Sequence, residues 1–164
     1  MNNKHFSFVT TTNTTLGKVF LASDGENLTG LWFEGQKYFP PSLLEIEKVP
    51  HLDIFKKTNQ WLELYFAGKK PDFTPSLQPK GTAFRHKVWD ILLDIPYGEV
   101  ITYGDIAKKL NINSAQAVGG AVGHNPISII IPCHRVVGAS GDLTGFAGGL
   151  DKKVWLLKNE GVAL

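Results

Sequence analysis

The chain has few of the groups from which small proteins build covalent or metal-bound frameworks. One cysteine among 164 residues excludes an internal disulfide and any multi-cysteine zinc site. The five histidines are scattered without the spacing of metal ligands, so no metal site is expected. No apolar run approaches the length of a bilayer span, and the N-terminus lacks the apolar core of a signal peptide. We therefore expect a cytoplasmic protein that has no membrane segment and keeps a free thiol.

The chain also lacks an excess of charge of either sign. Its formal net charge is +2 and is spread evenly, whereas nucleic-acid-binding domains usually carry a clear basic footprint. Any case for DNA must therefore come from architecture rather than from charge. With 43% hydrophobic and 20% charged residues, the composition is that of an ordinary globular protein that can bury a core.

The N-terminal part is predicted to be a small sheet with one helix. Residues 6–12, 17–22 and 28–33 are rich in Val, Phe, Thr and Trp and are separated by turn residues, which predicts three strands. Over residues 53–67 apolar side chains recur at helical spacing. No catalytic cluster stands out in these elements, so we interpret this part as scaffold.

A linker separates this part from the rest of the chain. Residues 69–81 contain three prolines and no periodicity, which is typical of a linker. We expect an N-terminal α/β scaffold domain over residues 1–75 and a mostly helical C-terminal domain over residues 82–164. The fold class predicted for the whole chain is α+β, with a helix-turn-helix and the cysteine in the second domain.

Two short helices in the second domain predict a helix-turn-helix, with an ordinary helical hairpin as the alternative. Thr102 and Asp105 resemble a capping box, and Ser114 precedes another helix after a three-residue turn. Six of the nine residues of that second helix are alanine or glycine, which indicates close approach of another helix or of a nucleic-acid backbone. Gln116 is its only long polar side chain, so a minor-groove or sequence-indifferent contact is favoured over major-groove reading.

The segment IIIPCHRVVG, residues 129–138, contains the lone cysteine, Cys133. Its β-branched flanks predict a buried strand, in which a lone cysteine is often a small core residue. Three neighbours favour a reactive thiol instead: Pro132 would interrupt a strand, and His134 and Arg135 offer a base and a positive charge. Because adjacent strand residues point to opposite faces, contact between Cys133 and His134 requires a turn at Pro132 or a bridging water.

A glycine-rich loop and a terminal helix complete the chain. Residues 138–149 lack the Lys-Ser/Thr ending of a phosphate loop, so we interpret them as the wall of a pocket. Residues 151–160 predict a helix with Val154, Trp155 and Leu157 facing inward.

Glu160 stands at the end of this helix, where a negative charge opposes the helix dipole. A partner that holds the carboxylate would explain its position, and His134 and Arg135 are the candidates. The alternative is a solvated surface carboxylate.

Five motifs, in this order and spacing, carry a family resemblance. TYGDIAKKL, AVGGAVGHNP, IIIPCHRVVG, GFAGGL and WLLKNEG resemble the O6-alkylguanine-DNA alkyltransferases, also called methylated-DNA–protein-cysteine methyltransferases. The resemblance covers about residues 82–161, and the N-terminal part is compatible with it. It implies direct-reversal DNA repair, in which an alkyl group moves irreversibly from O6 of guanine to the protein's own cysteine, with O4 of thymine left open as a further substrate. Each molecule would act once, without a cofactor.

The resemblance also implies roles for individual residues. Cys133 would accept the alkyl group, His134 would take the thiol proton through a water, and Glu160 would orient the histidine. Asn125 would hold the turn before the active strand, and Tyr103 would offer its hydroxyl to a guanine flipped out of the duplex. The pocket residues implied are Val136, Phe146, Ala147 and Gly148. The DNA-binding residues implied are Ser114, Ala115, Gln116, Gly119, Gly120 and Arg135.

Two positions depart from the family pattern. Gln116 stands where most members have an arginine that fills the gap left by the flipped base, and Phe146 stands where a tyrosine is common. Neither is the nucleophile, so repair is the favoured interpretation. The partner expected is double-stranded DNA containing O6-alkylguanine, bound by a monomer. A non-catalytic lesion sensor would transfer nothing to Cys133, and a thiol hydrolase would turn over repeatedly.

Overall fold

The computed structural model describes residues 4–164, which form two compact units. The first unit runs to Lys80 and includes Pro126–Ser128, and the second contains Gly81–Asn125 and Ile129–Leu164. The sequence-based division places residues 126–128 in the second domain. In the structure their backbone bonds to Leu31, whose N–H donates to Pro126 O (2.8 Å) and whose carbonyl accepts from Ser128 N–H (2.9 Å).

An antiparallel sheet forms the centre of the first unit. Its strands are β1 (Phe8–Thr14), β2 (Gly17–Ser23) and β3 (Leu28–Phe33), in the order β1-β2-β3. Thr14 pairs with Gly17, so a tight hairpin joins β1 and β2, and Gly17 adopts the left-handed φ of 102° that the turn needs. The three predicted strands are confirmed.

Both faces of this sheet are covered, which explains why β3 is buried along its whole length. Helix α1 (Asp53–Phe66) lies on one face, where the Thr12 hydroxyl donates to Asn59 Oδ1 (2.6 Å). An apolar cluster fills the other face. Its fully buried members are Val9, Phe20, Ala22, Trp32 and Leu43.

The second unit is mostly helical, as predicted. Its helices are α2 (Ala83–Leu93), α3 (Tyr103–Lys109), α4 (Ala115–Gly123) and α5 (Leu150–Asn159). Two short parallel strands, β4 (Ile101–Thr102) and β5 (Val136–Val137), pair with each other. The fold class is therefore α+β, and no helix in the described part of the chain is long and apolar enough to cross a membrane.

The helix-turn-helix consists of α3 and α4. Thr102 and Asp105 form the predicted capping box, since Thr102 Oγ1 accepts from Asp105 N–H (2.9 Å) and Asp105 Oδ2 accepts from Thr102 N–H (3.0 Å). Ser114 caps α4 by accepting from Ala117 N–H (3.0 Å). The Trp89 ring N–H of α2 donates to Ala121 O (2.9 Å), which ties α2 to the inner face of α4.

The strand predicted before the cysteine is wrong. Residues 128–130 form a turn, and Ile129 has a left-handed φ of 72° that no extended strand contains. Cys133–Arg135 then form a short 3-10 turn, and only Val136–Val137 are in a strand. The β-branched residues signal burial here rather than extended pairing, because Ile129 and Ile131 are completely buried without being in a sheet.

Candidate functional site

The backbone turns sharply at Pro132 and presents Cys133 and His134 on one turn. Pro132 has φ −81° and ψ 65°, and Cys133 N–H donates across it to Ile131 O (2.8 Å), which is an inverse γ-turn. Asn125 Nδ2 donates to the same carbonyl (2.7 Å) and is itself buried. The sequence analysis required a turn at Pro132 if Cys133 and His134 were to be in contact. That turn is present, and Asn125 is hydrogen-bonded to it.

Cys133 is buried, with 5% of its surface exposed. Burial raises the pKa of its thiol, while a hydrogen bond from the Asn125 side chain and the positive charge of Lys153 act to lower it. The resting side chain is therefore held as a thiol, and a nearby base is needed for it to react as a thiolate.

His134 follows Cys133 on the same short 3-10 turn. Its Nε2 lies 2.6 Å from Glu160 Oε2, and both side chains are completely buried. Burial acts to raise the pKa of Glu160, but the hydrogen bonds from His134 and Arg135 hold it at about 2, so the carboxylate is ionised at neutral pH. An ionised carboxylate only accepts hydrogen bonds, so Nε2 is the donor and the buried Nδ1 is the basic ring nitrogen. Burial lowers the pKa of His134, which favours this neutral form.

Arg135 is part of this buried network, which differs from its predicted place on the DNA surface. Its Nε donates to Glu160 Oε1 (2.8 Å), its Nη2 to Glu160 Oε2 (3.2 Å) and its Nη1 to Ile95 O (2.7 Å). The guanidinium carbon lies 5.7 Å from the centre of the Tyr97 ring. The contact with Glu160 is one that the sequence analysis put forward for Arg135. The DNA contact of Arg135 stays a prediction, for which a guanidinium already bound to these acceptors is poorly placed.

A backbone donor completes the surroundings of the Glu160 carboxylate. Gly98 N–H donates to Glu160 Oε1 (2.9 Å). Gly98 has a left-handed φ of 81°, and a Cβ there would lie 3.1 Å from the Glu160 carbonyl oxygen, so glycine suits this position on both counts. The sequence indicated a turn at Gly98 but not its contact with the carboxylate.

Lys153 is a buried cation at the site that the sequence interpretation missed. Its Nζ donates to Val136 O (2.7 Å), Thr144 O (3.2 Å) and Gly145 O (3.2 Å), and its side chain is completely buried. Burial lowers the pKa of Lys153. The positive charge of Lys153 in turn acts to lower the pKa of Cys133. The ammonium joins the β5 strand to the glycine-rich loop. Its spacing from Leu156, Leu157 and Glu160 on α5 is the one signal that could have shown it facing inward.

Tyr103 contacts the glycine-rich loop and is close enough to Cys133 to be affected by its charge. The Tyr103 hydroxyl donates to Thr144 O (3.1 Å), the carbonyl that also accepts from Lys153. Burial raises the pKa of Tyr103, and so does its proximity to Cys133. The predicted pocket residue Val136 is fully buried, whereas Phe146, Ala147 and Gly148 are half-buried.

The predicted DNA-binding residues of α4 are grouped at its N-terminal half. Ser114, Ala115, Gln116 and Gly120 are exposed, and Gly119 is half-buried beside Tyr103. The opposite face of α4 is packed inside the unit. Its buried residues are Val118, Ala121 and Val122.

The described residues contain no group of three His, Cys, Asp or Glu side chains that could hold a metal ion. The polar groups described at the site are the thiol, imidazole, carboxylate, guanidinium and ammonium groups of Cys133, His134, Glu160, Arg135 and Lys153. The unit combines a buried thiol, followed by a histidine that is bound to a carboxylate, with a helix-turn-helix. This combination is typical of a cysteine-dependent protein that acts on nucleic acid.

Comparison with known proteins identifies the family. Residues 83–162 match "6-O-methylguanine DNA methyltransferase, DNA binding domain", and residues 8–79 match the "ribonuclease-like domain" of the same proteins. The chain therefore belongs to the 6-O-methylguanine DNA methyltransferase family.

Individual relatives match along most of the chain. The methylated-DNA–protein-cysteine methyltransferase of Methanosarcina acetivorans is 47% identical over 150 residues, which are 89% of this chain and 93% of that one. The protein of the same name from Haemophilus influenzae is 46% identical, over 88% of this chain and 81% of its own. The crystal structure of Mycobacterium tuberculosis OGT in complex with DNA has a TM-score of 0.85 and 42% identity, over 93% of this chain and 92% of that chain.

Proposed function

We propose that this protein repairs alkylated DNA by moving the alkyl group from O6 of guanine to the sulfur of Cys133. The observation that carries the proposal is the Cys133–His134–Glu160 arrangement on a helix-turn-helix unit, with His134 Nε2 bound to an ionised Glu160. Family membership and relatives named methylated-DNA–protein-cysteine methyltransferase support it.

The transfer balances without a cofactor. The thiol proton of Cys133 passes to Nδ1 of His134, through a bridging water, and the resulting thiolate attacks the alkyl carbon on O6. An S–C bond forms while the C–O6 bond breaks, and its electron pair stays on the guanine. The guanine accepts a hydrogen bond from the Tyr103 hydroxyl and takes up one proton through water, which balances the proton that Cys133 released to His134. The thioether product has no acidic S–H, so His134 cannot regenerate the nucleophile and each molecule acts once.

The buried position of Cys133 requires that the damaged base leave the duplex. A base stacked in DNA cannot reach a residue that is 5% exposed, so we propose that the guanine is flipped out and enters beside Tyr103 and the loop at Phe146–Gly148. The Tyr103 hydroxyl, now bound to Thr144 O, would turn to the base as it enters. Flipping is least costly for a damaged, weakly paired base, which contributes selectivity.

DNA binding is assigned to the exposed N-terminal half of α4. The small side chains there suit close approach of a narrow minor groove, and Gln116 is the residue placed to occupy the gap left by the flipped base. The DNA complex of the Mycobacterium tuberculosis relative supports duplex DNA as the partner. We further propose that the protein acts as a monomer in the cytoplasm and that O6-alkylguanine is the lesion it selects.

The two alternatives are less well supported. A lesion sensor needs no nucleophile and no base, yet Cys133 and His134 are both in place, and the similar curated proteins are named methyltransferases. A thiol hydrolase would leave the helix-turn-helix without a role.

Mass spectrometry of the intact protein tests the proposal. The wild-type protein and Cys133→Ser are each mixed with a duplex that carries one O6-methylguanine and, separately, with the unmodified duplex. We expect the mass of one methyl group on the wild type only, saturating at one per molecule even with excess duplex. Selective binding of the lesion without a mass gain would assign the chain to the sensors, and methyl release over many turnovers would rule out single use.

A further inference from the structure

Arg135 makes more hydrogen bonds inside the site than binding DNA or packing in the core would require. It contributes two donors to the Glu160 carboxylate, one to each oxygen. Gly98 N–H and His134 Nε2 also donate to this carboxylate. Because the guanidinium is a planar fork, this two-bond contact fixes the orientation of the carboxylate as well as its charge.

Arg135 is itself held rigidly from the α2 side of the unit. Its Nη1 donates to Ile95 O (2.7 Å), and its guanidinium lies over the Tyr97 ring. The fork therefore cannot swing away from Glu160 without losing a buried hydrogen bond and a cation–π contact. This anchoring makes Arg135 a fixed support for the carboxylate.

The charges around His134 show why the support matters. The groups facing the imidazole and its carboxylate are Cys133, Glu160, Arg135, Lys153 and Tyr97. With Arg135 present, the Glu160 charge is matched and neutral His134 is stable. Without it, an unmatched buried carboxylate beside an imidazole would draw a proton onto the pair, because an isolated buried charge is costly. A protonated His134 could not take the proton of Cys133.

We propose that Arg135 is a positioning residue for alkyl transfer, which holds Glu160 in place and keeps His134 neutral so that Nδ1 can accept the thiol proton. This inference rests on the proposed function, in which His134 is the base. It assigns Arg135 to the proton-transfer step and removes it from DNA binding.

Two substitutions separate the charge of Arg135 from its geometry. Arg135→Gln removes the charge, and Arg135→Lys keeps a charge but loses the fork. Methyl transfer is measured in single-turnover experiments at saturating O6-methylguanine duplex across the acid range, with DNA affinity measured in parallel. Because transfer requires neutral His134, we expect the acid limb of the rate profile to move to higher pH in Arg135→Gln. In Arg135→Lys the limb should stay near that of the wild type, while the plateau rate falls, by up to about a hundredfold for a misplaced base. Neither variant should bind DNA more weakly.

The opposite results would overturn the proposal. Unchanged transfer rates at saturating DNA together with weaker binding would restore Arg135 to the DNA surface. A lower plateau with an unmoved acid limb in both variants would mean a merely structural role. If Arg135→Gln does not fold, Arg135→Lys decides alone, since a wild-type plateau rate would contradict the need for the fork.

A second measurement does not depend on methyl transfer. The protonation of His134 is followed by NMR of isotope-labelled histidine in the wild type and in both variants, without DNA. We expect the ring to take its proton at higher pH in Arg135→Gln than in the wild type, and near the wild-type position in Arg135→Lys. If the wild type shows no methyl transfer but this difference is present, the proposed function fails and the placement of Arg135 stands. If His134 takes up its proton at the same pH in all three proteins, the proposed role of Arg135 is wrong.

Discussion

At the scale of single residues, Cys133 combines burial with reactivity. Burial alone would leave the thiol protonated, because a thiolate among apolar side chains loses its solvation. Asn125 and Lys153 act against that effect and lower the pKa of the thiol. A thiol kept in this form is protected from oxidants, which react with exposed thiolates. Under the proposed function, in which Cys133 reacts once, that protection would preserve the capacity to react.

Lys153 gives a prediction at this scale. Lys153→Met keeps the length of the side chain but leaves the Val136, Thr144 and Gly145 carbonyls without this donor. We expect the free energy of unfolding to fall by about 1–3 kcal/mol, the usual cost of stranding buried polar groups. Loss of the nearby positive charge should also raise the pKa of Cys133, so alkylation of the thiol by iodoacetamide at fixed pH should be slower. Denaturant titration and the rate of thiol modification measure the two effects.

The matched control is Lys158→Met on the same helix, where the side chain is exposed. This variant should change neither stability nor thiol reactivity appreciably, because a solvated lysine contributes little. Equal effects of the two substitutions would show that the buried contacts of Lys153 are unimportant.

At the scale of elements, α4 has glycines that its own packing does not require. A Cβ added to Gly120 would have no neighbour within 4 Å, and one added to Gly119 would make only ordinary contact with the Tyr103 ring. Each glycine nevertheless costs helix stability relative to alanine. The requirement for small residues therefore comes from outside the unit, in agreement with the proposed minor-groove contact.

The substitution Gly120→Ala separates the effect of this glycine on helix stability from its effect on DNA binding. We expect the helix to gain about 1 kcal/mol in stability, because alanine is the better helix former and its methyl group has room. Affinity for duplex DNA should fall, since the methyl group would stand between the helix and the groove. Thermal unfolding and a fluorescence-based DNA titration measure these opposite changes. Gly104→Ala in α3 is the control, and unchanged DNA affinity in Gly120→Ala would argue against the α4 interface.

Elements with a clear local signal could be predicted from the sequence. The three strands of the first unit follow from alternation and turn residues, and the capping box at Thr102 fixes the start of α3. The segment before Cys133 was predicted wrongly, because β-branched residues indicate burial and strand pairing alike. The left-handed Ile129 has no counterpart in residue type, whereas Pro132 did indicate the turn that follows it.

The inward face of α5 shows that the site, too, could be predicted from the sequence only in part. Val154, Trp155 and Leu157 were predicted to face inward on their hydrophobicity, and of these only Leu157 is fully buried. Lys153, Leu156 and Glu160 share the buried face instead. Hydrophobicity assigns a lysine and a glutamate to solvent. The position of Glu160 against the helix dipole did suggest His134 and Arg135 as its partners, whereas the burial of Lys153 depends on carbonyls that the sequence does not indicate.

At the scale of the whole molecule, the even charge distribution limits how DNA can be bound. A net charge of +2 gives little general attraction for phosphates, and Gln116 adds no charge to α4. Under the proposed function, binding would depend on the fit of α4 and on capture of the damaged base. Discrimination would then come from the fit of the base in its pocket more than from affinity for any duplex.

The buried network also makes the stability of the molecule depend on pH. His134 has a lowered pKa, so below its ordinary value of 6.5 the unfolded chain takes up a proton that the folded one refuses, and stability falls. Glu160 has a pKa of about 2 instead of 4.5, so its contribution is present above pH 4.5 and is lost as pH falls towards 2. Both pKa shifts therefore make the folded protein less stable as the pH falls.

We expect the free energy of unfolding, measured by urea titration, to decline from about pH 6.5 downward and again below pH 4.5. Glu160→Gln should be less stable at neutral pH and flatter between pH 4.5 and 2, whereas Asp24 and Asp105, whose pKa values are also lowered, stay the same in both proteins. Parallel curves for the two proteins would mean that Glu160 is not held by His134 and Arg135 in solution.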